Sequence, residues 1–430
     1  MTTQLVALAN GREMGAITYR NARVSFVYDE LWRQDPNSHP LSLSMPLASP
    51  QHGHSRIEPF LWGLLPDNDR VLETWGRRFQ VSPRNPFRLI ANVGEDCAGA
   101  VQFVRPERLE SLRTEPAARE VEWLTEGDIA ERLRTLRTDH AAWRTATDTG
   151  QFSLAGAQPK TALLYQRGRW GIPSGRTPTT HILKPPTGEW DGHAENEHFC
   201  LRLARACGLV VPNSSVERFQ NEIAIVIERY DRVVITRQRL RVHQEDMCQA
   251  TGLHPANKYE NEGGPGVRRI VELLRQNSSA VDEDVQAFLD AIAFNWLIAG
   301  TDAHAKNYAL LLGGQGNVRL APFYDVASIL PYRNVNLAKA KLAMKIGGEY
   351  RLPNIGLRQW RRLAEDIRIG EEAMINRVRA MAAGLPDLIA AIRKEVEATG
   401  LNHPILRTLA QRLTTRANRC LAILGANSNR

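Results

Sequence analysis

The chain has 430 residues, 43% of them hydrophobic and 24% charged, with a formal net charge of +8. That is enough for two or three domains with substantial cores, and no run approaches the roughly 18 uninterrupted apolar residues of a membrane-spanning helix. Five scattered cysteines (Cys97, Cys200, Cys207, Cys248, Cys420), odd in number and without a CxxC, suggest neither a disulfide framework nor a zinc site and point to reduced thiols in the cytoplasm.

The first residues, MTTQLVALANGREMG, have no charged stretch before an apolar core and no cleavage site, so a secretion signal is not expected. Residues 1–105 read as a small α/β unit. Strand-like runs at 4–9, 16–19 and 23–28 are broken by Asn10-Gly11 and Asn21. The alternating LSLSMPL at 41–47 predicts a strand with one buried face, and FLWGLLPD at 60–67 opens a helical region reaching Trp75. A strand entered by a glycine turn closes the unit at 101–104. Residues 106–150 are polar and turn-rich, a connector with one helix near 126–136.

From residue 151 two strands are expected around a loop of small residues, Ala155, Gly156, Ala157, Gln158, Pro159 and Lys160. Small residues let backbone amides approach a phosphate, and Lys160 adds charge. The loop lacks the earlier glycine of a Walker A motif, and by itself it reads as a hairpin turn. A short strand then ends in Lys184, an amphipathic helix spans 194–207 with Gly208 as its stop, and an apolar strand at 223–227 runs into Glu228-Arg229-Tyr230. Glu197, with Glu195 as the competitor, is placed to pair with Lys184 as a helix glutamate pairs with a strand lysine in kinases. This order is that of a kinase N-lobe over 151–232, with a helical C-lobe over 233–430. A Gly-rich loop, KYENEGGPG at 258–266, opens a helix at 267–275. Residues 351–430 hold fourteen Arg/Lys against seven Asp/Glu, a net +7, which suits phosphates or an acidic partner and equally an Arg-rich solvated helix surface. No DNA-recognition helix can be picked out.

The most informative stretch is Thr301-Asp302-Ala303-His304-Ala305-Lys306-Asn307. It follows DVQAFLDAIAFNWLIAG, apolar nearly all round and so a buried helix, with Gly300 as its expected terminator. After it, apolar runs at 308–312 and 318–320 flank GGQGN, a hairpin that should bring Asp325 back beside Asp302 and Asn307. Phosphoryl transfer needs a carboxylate to orient and deprotonate the acceptor hydroxyl, and an Asn and a second Asp to hold Mg²⁺ against the nucleotide. Asp302, Asn307 and Asp325 have that spacing. Taken alone the stretch reads equally as a polar loop at a helix end.

Taken together, FSLAGAQPKTALL, THILK, ENEHFCLRLA, IERYDR, HQEDMCQATG, KYENEGGPG, TDAHAKN and PFYDV occur in order over residues 150–345. In these the chain resembles HipA, the serine/threonine-protein kinase toxin of type II toxin–antitoxin modules. LSLSMPL, LLPDN and VGEDCAGAVQF resemble that family's N-terminal domain. The resemblance implies an α+β, bilobed protein-kinase-like fold with an added small N-terminal α/β domain. It implies a non-specific serine/threonine protein kinase using ATP and Mg²⁺, with Asp302 as catalytic base and Asn307 and Asp325 as metal ligands. Nucleotide binding falls to residues Ala155 through Lys160, Lys184, the hinge Glu228, Arg229 and Tyr230, and His304, Lys306, Asn307, Tyr324 and Asp325. Ser153 matches the serine that autophosphorylates, which should inactivate the enzyme by placing nearly two negative charges at the phosphate loop. The implied partners are a HipB-like helix-turn-helix antitoxin, operator DNA through that complex, and a protein substrate such as an aminoacyl-tRNA synthetase; no membrane is implied. Competing readings are a catalytically silent kinase-fold co-repressor and a small-molecule kinase. Position 159 departs from the pattern: Pro stands where a relative has Glu, which removes one amide from the phosphate loop.

Overall fold

The protein is described from a computed structural model, which covers residues 3–114, 121–139, 153–188, 190–236 and 238–425. The chain divides into two compact units, the first made of Met1–Pro185, Glu217–Asn257 and Ala309–Arg319, the second of Pro186–Val216, Lys258–Tyr308 and Leu320–Arg430.

The first unit contains a five-stranded antiparallel sheet ordered Gln51–His52, Arg23–Tyr28, Arg12–Arg20, Gln4–Ala9, Val101–Val104. Its hairpins turn where the sequence predicts. Asn10 and Gly11 both take positive φ (48° and 82°), the mirror-image turn that matches the twist of the flanking strands. Helices His54–Gly63, Asp69–Phe79 and Pro86–Val93 supply Phe60, Trp75 and Phe87 to a core shared with Phe26 and Phe103 of the sheet. The helical region expected from residue 60 is therefore two helices, parted at Pro66, which has no N–H to continue the first. The same core takes in Leu136, Leu154 and Ala162, so the N-terminal segment and the start of the expected N-lobe share one interior.

Residues 41–47 do not form the predicted strand. A single bridge links Ser42 to Met45, the Ser42 Oγ donates to the Gln249 carbonyl (3.1 Å), and the Leu43 N–H donates to Glu245 Oε1 (2.8 Å). Leu41 and Met45 are buried as the alternation requires. The backbone is satisfied by side chains instead of a neighbouring strand, which periodicity cannot reveal.

A second sheet is ordered Ser214–Phe219, Glu222–Glu228, His181–Lys184, Thr161–Gln166, Arg169–Pro173, Val121–Leu124. The supposed connector thus contributes an edge strand and the helix Glu126–Thr138, whose Ile129, Ala130 and Leu133 pack on Leu163, Leu183 and Val226. The strand expected to begin at Gln151 and Phe152 lies partly outside the described residues; Ser153 and Leu154 are coil.

Helices dominate the second unit: His193–Ala206, Val267–Asn277, Val281–Ile298, Leu357–Asp366, Glu371–Ala398 and Pro404–Gly425. Val281–Ile298 is buried on almost every side, with Phe288, Phe294 and Trp296 inaccessible. The residue that ends it in the left-handed region is Ala299 (φ 56°), not Gly300. Gly300 is needed for another reason. Its N–H donates to the Asn295 carbonyl at 2.8 Å, and a Cβ there would sit 2.3 Å from Asn295 Oδ1. Several arginines of the basic tail are occupied within this unit: Arg377 forks onto Asp290 (2.7 and 2.6 Å) and Arg416 onto the Trp296 carbonyl (3.1 and 2.6 Å).

Candidate active site

The loop leaving the buried helix is held by its own backbone. The Asp302 carbonyl accepts from the His304 N–H (2.8 Å) and from Asn307 Nδ2 (2.8 Å), and the Asn307 N–H returns to the His304 carbonyl (2.9 Å). From the side, the Ala305 N–H donates to the Lys258 carbonyl (3.1 Å), and the Tyr259 hydroxyl donates to Asp302 Oδ1 (2.6 Å). Tyr259 also meets the His304 ring edge to face, centroids 5.1 Å apart. His304, Lys306 and Asn307 are buried while Asp302 is exposed. A carboxylate is thereby presented to solvent from a rigid base, which a general base requires.

Asn307 spends its amide nitrogen on the Asp302 carbonyl, so its Oδ1 is the atom left to ligate. The hairpin strands are Ala309–Leu312 and Val318–Leu320, and the chain does come back: the Tyr324 hydroxyl donates to the Lys306 carbonyl (2.7 Å), and Phe323 stacks on Tyr308 with centroids 5.7 Å apart. Asp325 follows directly, exposed and at φ 60°. Among the described residues no cluster of three His, Cys, Asp or Glu could hold a metal. One carboxylate and one amide oxygen suit Mg²⁺, which keeps several waters and takes its other ligands from phosphates.

In the first unit, Lys184 ends the strand His181–Lys184, paired with Ile225 of the strand Glu222–Glu228, and is buried. The loop of small residues is built around Gly156, whose φ of 105° favours glycine and whose Cβ would lie 2.6 Å from Lys160 Nζ. The Lys160 ammonium donates to the Ala155 carbonyl (2.7 Å), and the Gly156 carbonyl accepts from the Asp67 N–H (3.1 Å), which fixes the loop to residues 65–67. The backbone N–H groups of Ala157 and Gln158 donate to no described residue. Amides of this kind suit an oxyanion, and Pro159 has none to add. Just before the loop, Ser153 is fully buried. Its hydroxyl donates to the Leu64 carbonyl (2.7 Å) and its N–H to the Asp96 carbonyl (3.0 Å).

At the expected hinge, Glu228 is exposed, Tyr230 half-buried, and Arg229 buried. The Arg229 N–H donates to the Thr180 carbonyl (2.8 Å), and its guanidinium binds Asp231 (3.0 and 2.9 Å), Thr179 Oγ1 (2.8 Å) and the Cys97 carbonyl (2.8 Å). Arg229 is thus committed to the interior, which leaves Glu228 and Tyr230 to present the strand edge. The network continues from Arg232 to Asp96 (2.8 Å) and from Arg241 to Asp96 (3.4 Å). The three guanidiniums hold the Asp96 carboxyl far below the usual carboxylate range against the effect of burial. Sequence reasoning missed Asp96 and Tyr259. Asp96 lies in VGEDCAGAVQF and Tyr259 in KYENEGGPG, both noticed as motifs, but the arginines that pair with Asp96 are 133 or more positions away and the Asp302 that pairs with Tyr259 is 43 away.

The sheets of the first unit and the helices of the second make this an α+β, protein-kinase-like fold. The HipA-like C-terminal domain matches residues 152–389 and the HipA N-terminal domain residues 5–104. Protein Y4mE of Sinorhizobium fredii is 34% identical over 403 residues, covering 92% of this chain and 94% of its own. The serine/threonine-protein kinase toxin HipA of Shewanella oneidensis is 29% identical over 386 residues, covering 85% and 83%. The solved complex of Shewanella oneidensis HipA, HipB and operator DNA contains a chain with TM-score 0.83 to this one, at 24% identity and 98% coverage of both, and so with the same fold. The chain belongs to the HipA family.

Proposed function

We propose that the chain is an ATP- and Mg²⁺-dependent serine/threonine protein kinase acting as the toxin of a type II toxin–antitoxin module. The observation that carries this is the exposed Asp302 carboxylate on a loop braced by Asn307, with Asp325 returned beside that loop by the hairpin. Asp302 orients the acceptor hydroxyl and takes its proton as the γ-phosphoryl group moves from ATP to the acceptor oxygen and ADP leaves. Asn307 and Asp325 would hold the Mg²⁺, whose charge offsets that of the phosphates. Lys184 and the loop of Ala155, Gly156, Ala157, Gln158 and Lys160 take the phosphates; Glu228 and Tyr230 take the adenine edge; His304, Lys306 and Tyr324 shape the loop.

Ser153 is the proposed site of inactivating autophosphorylation. The proposed partners are a HipB-like helix-turn-helix antitoxin and, through it, operator DNA, in line with the assembly solved for the Shewanella oneidensis protein. The acceptor is a translation component such as an aminoacyl-tRNA synthetase, and the setting is the cytoplasm. No helix among the described residues is long and apolar enough to cross a membrane. The test is ADP formation by the purified chain with ATP and Mg²⁺, compared with Asp325→Ala. Turnover in the wild type that Asp325→Ala abolishes supports the reading; a wild type without turnover leaves a silent co-repressor. Turnover that yields no phosphopeptide by mass spectrometry, on the chain or on co-incubated protein, identifies a small-molecule kinase instead.

A further inference from the structure

We infer that Tyr259 is a positioning residue for phosphoryl transfer: its hydroxyl locks the rotamer of the Asp302 carboxylate and leaves one oxygen for the acceptor. This rests on the kinase reading above. The backbone of Asp302 is fixed through its carbonyl by His304 and Asn307, yet its side chain is exposed and would be free to turn. Among the described residues, the Tyr259 hydroxyl is the one hydrogen-bond partner of that carboxylate, at 2.6 Å to Oδ1. Short bonds from a hydroxyl to a carboxylate are among the stronger hydrogen bonds.

The phenol is itself held in place. Its ring packs edge to face on the buried His304, and the residue before it receives the Ala305 N–H on its carbonyl. The residue after it, Glu260, accepts the Lys345 N–H (2.6 Å), which ties the turn to the strand Lys341–Ile346. Tyr259 therefore bridges a braced turn and the loop that carries the base. With Oδ1 engaged, Oδ2 is the atom that meets the incoming hydroxyl, whether Ser153 or a foreign serine or threonine. Orientation of a base contributes to the rate of the chemical step and little to nucleotide binding.

The experiment uses the full-length chain and follows phosphate incorporation from γ-labelled ATP at varied ATP concentration, for wild type, Asp302→Asn and Tyr259→Phe. Phe keeps the ring against His304 and removes only the hydroxyl. The expected result is a kcat lowered about tenfold, with KM for ATP and the melting temperature unchanged. Tyr259→Ala, which also removes the ring, should lower kcat at least as far. A Tyr259→Phe kcat equal to wild type, or a parallel change in KM and melting temperature, overturns the inference. An inactive wild type or an active Asp302→Asn sinks the kinase reading itself, and the two failures are told apart in the same experiment.

Discussion

The hydroxyl of Ser153 donates to the carbonyl of Leu64 at 2.7 Å in the interior of the first unit, where neither group meets solvent. The residue proposed to accept phosphate is therefore a structural link in this conformation. It can be modified only if residues around 153 leave that interior.

Removing the link should be measurable without any nucleotide. Ser153→Ala leaves the Leu64 carbonyl without its partner, a loss of about 1–2 kcal/mol read as a lowered urea midpoint. Ser153→Asp places a charge in the same space and should cost more. Hydrogen exchange at residues 153–160 should rise once Ser153 carries phosphate; protection unchanged by phosphorylation would mean that the segment had never needed to move.

Asp96 is the counter-charge to Arg229, Arg232 and Arg241, all buried. It also accepts the N–H (3.0 Å) and hydroxyl (2.7 Å) of Thr179. Asp96→Ala leaves Arg229 and Arg232 with Asp231 as their remaining carboxylate and removes the carboxylate that Arg241 pairs with, and breaking a buried pair from one side costs about 3–5 kcal/mol. Denaturant unfolding should show that loss. A loss below about 1 kcal/mol would mean the carboxylate is not the keystone of the network.

The strand His243–Asp246 gives the fold a pH dependence. Glu245 is buried, with Oε1 on the Leu43 N–H and no partner for Oε2 among the described residues, and burial pushes its carboxyl up to about 8. Between the ordinary value near 4.5 and about 8, the folded chain holds a proton that the unfolded chain has released. Stability contributed by the neutral acid is therefore full below that window and is lost as pH rises through it. His243 works in the opposite direction, since burial pushes its imidazole down to about 3 and stability falls as pH drops from 6.5 toward that value. Urea midpoints of wild type and Glu245→Gln from pH 5 to pH 8.5 should diverge, the wild type falling more steeply. Parallel curves would contradict the assignment.

The short-range features were legible in the sequence. The buried helix, the loop that follows it, the hairpin of Ala309–Leu312 and Val318–Leu320, and the strand ending in Lys184 all follow from periodicity and turn residues. What was not legible is long-range polar pairing. Nothing in residues 41–47 says that the Leu43 N–H will find Glu245, two hundred and two positions on, instead of a neighbouring strand. The burial of Arg229 depends on Asp96 and Thr179, which no local pattern ties to it. The helix end shows the limit of residue-type reasoning: a glycine stood at the right place, but Ala299 bears the left-handed conformation and Gly300 is there for its close approach to Asn295.

The most direct test of the central claim is transfer of the γ-phosphate by the full-length chain with Mg²⁺, wild type against Asp302→Gln, with phosphopeptides mapped by mass spectrometry. The account predicts that the wild type labels Ser153 and co-incubated protein, and that Asp302→Gln keeps its fold and labels neither. Wild-type phosphorylation of Ser153 by a folded Asp302→Gln chain would contradict it.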